Sequence, residues 1–168
     1  MKTLITLVPT LILSMAVLFP KSVVAAENNA HLEIKTHSEL QVYKSPTCGC
    51  CTGWVEHMNM HGHQTQIHHP KDLNQIKNES GIPTNARSCH TAISASGFIF
   101  EGHIPAKYIE RFLANPPADA KGLIVPAMPV GSPGMEYNGQ FMPYSVMQLN
   151  TDGTLNVYAR VNDPEDQL

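Results

Sequence analysis

The alternation of apolar and polar residues predicts a strand, a helix, a second strand and a second helix in the first half of the chain. The segment LQVYKS, residues 40–45, alternates with the period of a half-buried strand. GWVEHMNMHG predicts a helix that ends near Gly62, because glycine commonly terminates helices. QTQIHH predicts a strand closed by Pro70, and KDLNQIKNESG predicts a helix closed by Gly81.

The second half adds a hairpin, a helix and a final hairpin. HTAISASGFIFEGHI places apolar residues on both sides of a Ser96-Gly97 turn. PAKYIERFLAN begins with Pro105, which suits a first helical turn, and continues with one apolar face. YSVMQLNTDGTLNVYARV surrounds Asp152-Gly153, a strong hairpin signal. Strand-helix-strand-helix-hairpin-helix is a thioredoxin-like order, so we expect an α/β fold with such a core and a C-terminal hairpin.

Residues 115–143 are rich in proline and glycine and show little periodicity. Because they also include large apolar residues, we expect an ordered Pro/Gly-rich loop rather than a linker. The patterns therefore predict one thioredoxin-like domain over residues 40–162. A polar lead-in at 27–39 precedes the domain, and a solvated tail at 163–168 follows it.

The first 26 residues predict a cleaved secretory signal peptide. Lys2 precedes an uncharged apolar run, and small residues follow near Ala26. A membrane anchor is the alternative, but the run is short for a span and contains Pro9 and Pro20. We therefore expect export and no membrane association after cleavage.

Charge and length further limit the classes of function that fit the chain. The chain has 168 residues and a net charge of −3 with neutral histidines. Loss of Lys2 and Lys21 with the signal peptide leaves 9 basic against 14 acidic residues, a net charge of about −5. No basic stripe with interleaved aromatic residues is present, so a nucleic-acid partner is not expected.

Three of the four cysteines lie in the stretch SPTCGCCTGW, as Cys48, Cys50 and Cys51. Four cysteines in an exported chain normally predict a disulfide framework. These three are too close together to close stabilising loops, so we expect a chemical role. They lie between a predicted strand and helix, where the helix N-terminus lowers a thiol pKa, and at least one should be a thiolate near neutral pH.

Two chemistries fit this turn. Cys48 and Cys51 have the spacing of a redox pair, to which Cys50 adds nothing necessary. For a soft metal the third thiolate adds much, because thiolates select Cu(I) and can bridge two ions. Zinc also accepts thiolates, but its structural sites usually need two separated C-x-x-C knuckles.

Further candidate ligands come from elsewhere in the chain. Cys89 and His90 stand together at the start of a predicted strand. Cys50 and His57 share one stripe of the predicted first helix, which puts His57 on the cysteine face.

Met128 and Met135 are soft donors that bracket MPVGSPGM. From spacing alone, both are better explained as gap-filling residues of a core.

The motifs TCGCCTGWVEHM, SCHTA, EGHIPA, GLIVPAMPVGSPGME and YSVMQL…DG together resemble the CopG-like family of exported copper-resistance proteins, over residues 40–161. The resemblance implies a thioredoxin-like fold and a role in periplasmic copper tolerance, including a change in the oxidation state of bound copper. The copper ligands it implies are Cys48, Cys50, Cys51 and Cys89. Its matching histidines are His57, His90 and His103, and its loop methionines are Met128 and Met135.

The chain departs from the family pattern at Ala127, where the family has glycine. If that position needs a positive φ, the loop should differ locally.

Three hypotheses remain open from the sequence. The first is a periplasmic protein that holds several Cu(I) ions on its cysteines and works with other periplasmic copper-handling proteins. The second is a thiol-disulfide oxidoreductase with Cys48 as nucleophile and Cys51 as resolving thiol. The third is a structural role, with disulfides that join Cys89 to the cysteine turn.

Overall fold

The computed structural model describes residues 39–168, so the predicted signal peptide and almost all of the predicted lead-in lie outside the described residues. Over this range the chain forms a mixed α/β fold with one seven-stranded sheet and three α-helices. The strands are β1 (Glu39–Lys44), β2 (Gln64–His68), β3 (His90–Ser94), β4 (Ile99–Glu101), β5 (Ala120–Ile124), β6 (Tyr144–Asn150) and β7 (Leu155–Val161). The helices are α1 (Gly49–Met60), α2 (Leu73–Glu79) and α3 (Ala106–Ala114), with 3₁₀ turns at Thr84–Ala86 and Pro164–Gln167.

The order of strands in the sheet is β2-β1-β3-β4-β5-β6-β7. The pairs β1/β2 and β4/β5 are parallel, and the other neighbours are antiparallel. In the β1/β3 pair, Lys44 at the end of β1 lies opposite His90 at the start of β3. This register brings the turn after β1, which carries three cysteines, to the same end of the sheet as Cys89.

Two hydrophobic clusters hold the sheet and helices together. The larger cluster combines residues of α1 and α3 with the sheet, and Trp54, Phe100 and Phe112 are fully buried in it. The indole Nε1 of Trp54 donates a hydrogen bond to the Ile104 carbonyl at 2.9 Å, which ties α1 to the segment before α3. The second cluster consists of Ile82, Ala86, Ile99, Ile124 and Leu149.

The predicted order of the first six elements is confirmed, but one helix begins earlier than predicted and one strand was not predicted. Helix α1 begins at Gly49 rather than near Gly53, because Cys48 acts as its N-cap and the cysteines form the first turn. The predicted loop was wrong at 120–124, which form β5. Gly122 permits this strand to approach β4, since a Cβ there would lie 1.8 Å from the Ile99 carbonyl oxygen.

The C-terminal residues are exposed but held in place. The Tyr108 hydroxyl of α3 donates to the Asp166 carbonyl at 2.8 Å, and the Tyr144 hydroxyl donates to the Gln167 side chain at 2.8 Å. The predicted tail is therefore a 3₁₀ turn anchored on α3 and β6. None of the helices within residues 39–168 has the length and apolar character needed to span a membrane.

Candidate metal centre

The four cysteines meet at one end of the sheet. The Sγ atoms of Cys48 and Cys50 are 3.5 Å apart, and those of Cys50 and Cys89 are 4.0 Å apart. All four sulfur atoms lie within 4.8 Å of one another. The N-cap and first turn of α1, together with the residue before β3, thus supply one compact group of soft donors.

Two of these sulfurs are bonded to each other. Cys48 and Cys51 form a disulfide, whereas Cys50 and Cys89 are free thiols. The Cys48 Sγ also accepts a hydrogen bond from the Cys51 backbone N–H at 3.3 Å, as the cap of α1. The hypothesis of structural disulfides to Cys89 is therefore wrong for this structure, because the one disulfide formed by these four cysteines closes a single helical turn.

Two histidines adjoin the free thiol of Cys89. The Nε2 of His103 lies 3.0 Å from the Cys89 Sγ, and the Nδ1 of His90 lies 3.5 Å from it. His103 donates its Nδ1–H to the Pro133 carbonyl at 2.8 Å, which leaves the Nε2 lone pair directed at the sulfur. Metal-binding histidines are commonly oriented by a bond of this kind. The sequence contained no signal for the Pro133 carbonyl.

Burial controls the protonation of the Cys89 thiol and of the two neighbouring histidines. Burial, and after it the neighbouring Cys50 sulfur, together raise the pKa of the Cys89 thiol to about 12. Burial also lowers the pKa values of His90 and His103, so both rings are neutral at physiological pH. The ring Nε2 of His90 is buried and has no hydrogen-bond partner within the described part of the chain. A soft metal bound here would displace the Cys89 proton.

His57 lies outside the cysteine group, contrary to the prediction from the helix stripe. Its Nε2 accepts a hydrogen bond from the Ala106 backbone N–H at 3.0 Å, at the start of α3. Pro105, the N-cap of α3, offers no side-chain acceptor, so His57 takes that role. His57 is seven positions after Cys50, about 10 Å farther along α1, and its ring reaches α3 rather than the sulfurs.

The protonation state and tautomer of His57 agree with this capping role. Burial, and after it the neighbouring His61, lower the pKa of His57 to about 4. The neutral ring carries its proton on Nδ1 because Nε2 is the acceptor. No lone pair is left for a metal while this hydrogen bond persists.

The segment after β5 packs on the cysteine turn. A Cβ at Gly134 would lie 2.4 Å from the Cys50 carbonyl oxygen and 2.5 Å from the Trp54 nitrogen. Gly134 therefore touches the first turn of α1, and the adjacent Pro133 binds His103. Ala127 adopts φ +59°, the positive value anticipated for a position that is usually glycine.

Spacing alone predicted that the two loop methionines are core residues, but neither is fully buried. Met128 is 49% exposed, and Met135 is half-buried. Met135 is fixed by its backbone, which donates to the Ser132 carbonyl at 2.7 Å and accepts from Gly131 at 2.9 Å.

Comparison with known proteins gives two kinds of match. A family model described as "Protein of unknown function, DUF411" matches residues 86–135, which include Cys89, His90 and His103. Two solved structures, titled "Copper resistance protein copG", Form 1 and Form 2, are each 35% identical to the chain with a TM-score of 0.70. Each match covers 74% of this chain and 98% of the solved chain. No curated protein sequence matches.

Proposed function

Because the chain belongs to the family of the copper resistance protein CopG, we propose that it is a periplasmic copper-binding protein that holds several Cu(I) ions in copper tolerance. Its ligands are the thiolates of Cys48, Cys50, Cys51 and Cys89. The observation that carries this proposal is the group of four cysteine sulfurs within 4.8 Å of one another.

The donor set favours copper in its reduced state. Thiolates are soft ligands that select Cu(I), and a sulfur that bridges two ions allows several coppers to share few cysteines. Cys50 is suited to bridging, because its sulfur lies 3.5 Å from that of Cys48 and 4.0 Å from that of Cys89. Zinc is the less favoured ion, since its protein sites are usually closed tetrahedra around single ions.

Copper loading requires the disulfide to be opened. A bonded pair of sulfurs offers no thiolate, so an external dithiol must first supply two electrons and two protons to convert the Cys48–Cys51 disulfide into two thiols, and is itself oxidised to a disulfide. His103 supplies a further donor through Nε2, and His90 a weaker one through Nδ1. Met128 and Met135, on the segment that packs over the cysteine turn, are accessory soft donors in this proposal.

The fold and location are parts of the same proposal. The order β2-β1-β3-β4, with β1/β2 parallel and the other two pairs antiparallel, supports a thioredoxin-like core. The cysteines at the start of α1, directly after β1, support it as well. A periplasmic location is supported by the signal-peptide pattern of the first 26 residues.

An anaerobic competition titration tests the function. The reduced protein would compete with a chromophoric chelator for Cu(I), beside a variant in which all four cysteines are serine. We expect the wild type to withdraw copper from the chelator and the serine variant to withdraw almost none. Equal withdrawal by both proteins would refute the proposal.

A second candidate function is thiol-disulfide oxidoreduction, favoured by the Cys48–Cys51 disulfide in the first turn of α1. Cys48 is the more exposed partner and would be the nucleophile, with the buried Cys51 as resolving thiol. Turnover in an insulin-reduction assay that disappears in Cys48→Ser would support this function, and no turnover would exclude it. Electron exchange between this pair and bound copper would join the two functions.

A further inference from the structure

A buried ion pair lies behind the metal centre and has no part in the function described so far. Lys77 of α2 is 3% exposed and Glu101 of β4 is fully buried. Their Nζ and Oε1 atoms are 2.5 Å apart. The Thr91 hydroxyl donates to the Glu101 Oε2 at 2.6 Å and accepts from the Lys77 Nζ at 3.0 Å. Both charged groups are thus paired with each other and hydrogen-bonded to Thr91, the condition under which buried charges persist.

The carboxylate of this pair also holds the residue before Cys89. The Ser88 backbone N–H donates to the Glu101 Oε1 at 2.7 Å. The Ser88 hydroxyl donates to the Ala127 carbonyl, so both polar ends of Ser88 are fixed. Gly102 approaches Ser88 so closely that a Cβ on Gly102 would lie 2.6 Å from the Ser88 Cβ.

The contacts continue residue by residue along two facing tripeptides, 88–90 and 101–103. Glu101 binds the Ser88 amide, and Gly102 donates its N–H to the His90 carbonyl at 3.0 Å. His103 directs Nε2 at the Cys89 Sγ, 3.0 Å away. The position of the Cys89 thiol relative to His103 therefore depends on the register of these two segments.

We propose that Glu101, whose buried charge Lys77 neutralises, is a positioning residue for Cys89. Its Oε1 accepts from the Ser88 amide and so fixes the Cys89 sulfur within reach of Cys50 and His103. Lys77 acts only as the counter-ion, so a neutral side-chain oxygen at position 101 can keep the Ser88 contact when both charges are removed. The inference rests on the proposed function where it concerns copper, but the placement of the thiol can be measured without metal.

Paired variants separate positioning from mere stability. Lys77→Met/Glu101→Gln removes both charges but keeps a side-chain oxygen for the Ser88 N–H. Lys77→Met/Glu101→Met removes the charges and that acceptor. Val161→Ala is the control for lost stability, because Val161 is fully buried in β7, three strands from β4 in the sheet. Neutralising both partners together avoids leaving one buried charge unpaired.

The first readout is the alkylation of the two free thiols in the metal-free protein with its disulfide intact. Peptide mass spectrometry gives the ratio of the iodoacetamide reaction rates of Cys89 and Cys50. We expect the double-methionine variant to raise this ratio severalfold, because Cys89 loses its fixed, half-buried position. The glutamine variant and Val161→Ala should keep the wild-type ratio.

The second readout is the Cu(I) affinity of the reduced protein. We expect it to fall about 10-fold or more in the double-methionine variant alone, as is usual when the support of a metal ligand is lost.

A wild-type ratio of alkylation rates in the double-methionine variant would overturn the proposal. An equal rise of this ratio in Val161→Ala or in the glutamine variant would also overturn it. If the double-methionine variant does not fold, Ser88→Pro tests the same contact by removing the amide hydrogen, and Ser88→Ala controls for the hydroxyl that is lost with it. Arg87 already has φ −75° and ψ 148°, as a residue before proline requires. A wild type that binds no copper would refute the proposed function and leave the alkylation result standing.

Discussion

Two histidines that the family motifs treat alike, His57 and His103, have different nitrogen partners in the folded chain. His103 donates Nδ1–H to the Pro133 carbonyl and directs a free lone pair at the Cys89 sulfur. His57 uses its Nε2 lone pair to cap α3 at Ala106. At the scale of single residues, therefore, the hydrogen bond made by one ring nitrogen determines what the other can do.

The capping role of His57 predicts a pH dependence of stability. The pKa of His57 falls from its ordinary value of 6.5 to about 4 on folding, so between these values the unfolded chain binds more protons. Stability from this group is fully present above pH 6.5 and is lost as the pH falls through 4. The charged or titratable neighbours are His61 and His63, which lower the pKa, and Glu136, which raises it.

The test is His57→Gln, whose amide oxygen can still accept from Ala106 but does not titrate. We expect its melting temperature to fall less steeply than that of the wild type between pH 7 and pH 4. Some slope should remain, because burial also lowers the pKa values of His90 and His103. Identical slopes for the two proteins would contradict the capping account.

Ala127→Gly should stabilise the protein. Ala127 has φ +59°, a conformation that disfavours a residue with a Cβ by about 1 kcal/mol. Glycine removes this strain at the position, and urea unfolding should show a gain of up to about 1 kcal/mol. Asn138→Gly is the matched control, because asparagine tolerates its φ of +49° and a smaller gain is expected. No gain at Ala127 would mean that its backbone is not strained.

At the scale of elements, the helix start and the loop after β5 together form the proposed metal centre. Helix α1 presents Cys48, Cys50 and Cys51 in its cap and first turn. The loop touches that turn at Gly134 and orients His103 through Pro133. Loop and helix should therefore control copper release jointly.

Gly134→Ala should separate the loop from α1. Its Cβ would lie 2.4 Å from the Cys50 carbonyl oxygen, at a φ of +83°. Because the support of His103 is disturbed, we expect Cu(I) to pass to a chelator about 10-fold faster than from the wild type. Gly139→Ala has a similar positive φ of +67° but open space around its Cβ, so it controls for backbone strain alone. Equal release from both variants would show that the Gly134 contact is not needed.

The sequence predicted most elements but not their exact limits. Alternation and turn signals located β1, β2, α2, the β3–β4 hairpin, α3 and the last hairpin, because each pattern is local. Strand β5 was not predicted, because its few apolar residues stand among proline and glycine. Its pairing with β4 and β6 is also non-local. The start of α1 was misplaced because a cysteine is not a usual N-cap.

The sequence predicted the cysteines of the candidate site but little of what surrounds them. The spacing of Cys48, Cys50 and Cys51 indicated a chemical role, and only the family resemblance connected Cys89 to them. Helical periodicity gave the face on which His57 lies but could not show that its Nε2 accepts from the Ala106 N–H of α3. The Lys77–Glu101 pair had no sequence signal, since its partners lie on α2 and β4.

At the scale of the whole molecule, the sheet assembles the metal centre from distant parts of the chain. The register of Lys44 with His90 brings the turn after β1 beside Cys89, and β4 places His103 next to it. The two halves of the ligand set are therefore joined only when the sheet has formed. Copper binding at the complete site should require the folded protein, unlike binding to a single cysteine-rich peptide.

The central claim is that Cys50 links the sulfurs into one centre for several Cu(I) ions, and native mass spectrometry tests it most directly. The reduced protein and its Cys50→Ser variant would be loaded with Cu(I) without oxygen and weighed intact. We predict several copper ions per wild-type chain and a sharp loss in the variant. No bound copper, or equal loading of the two proteins, would contradict the claim.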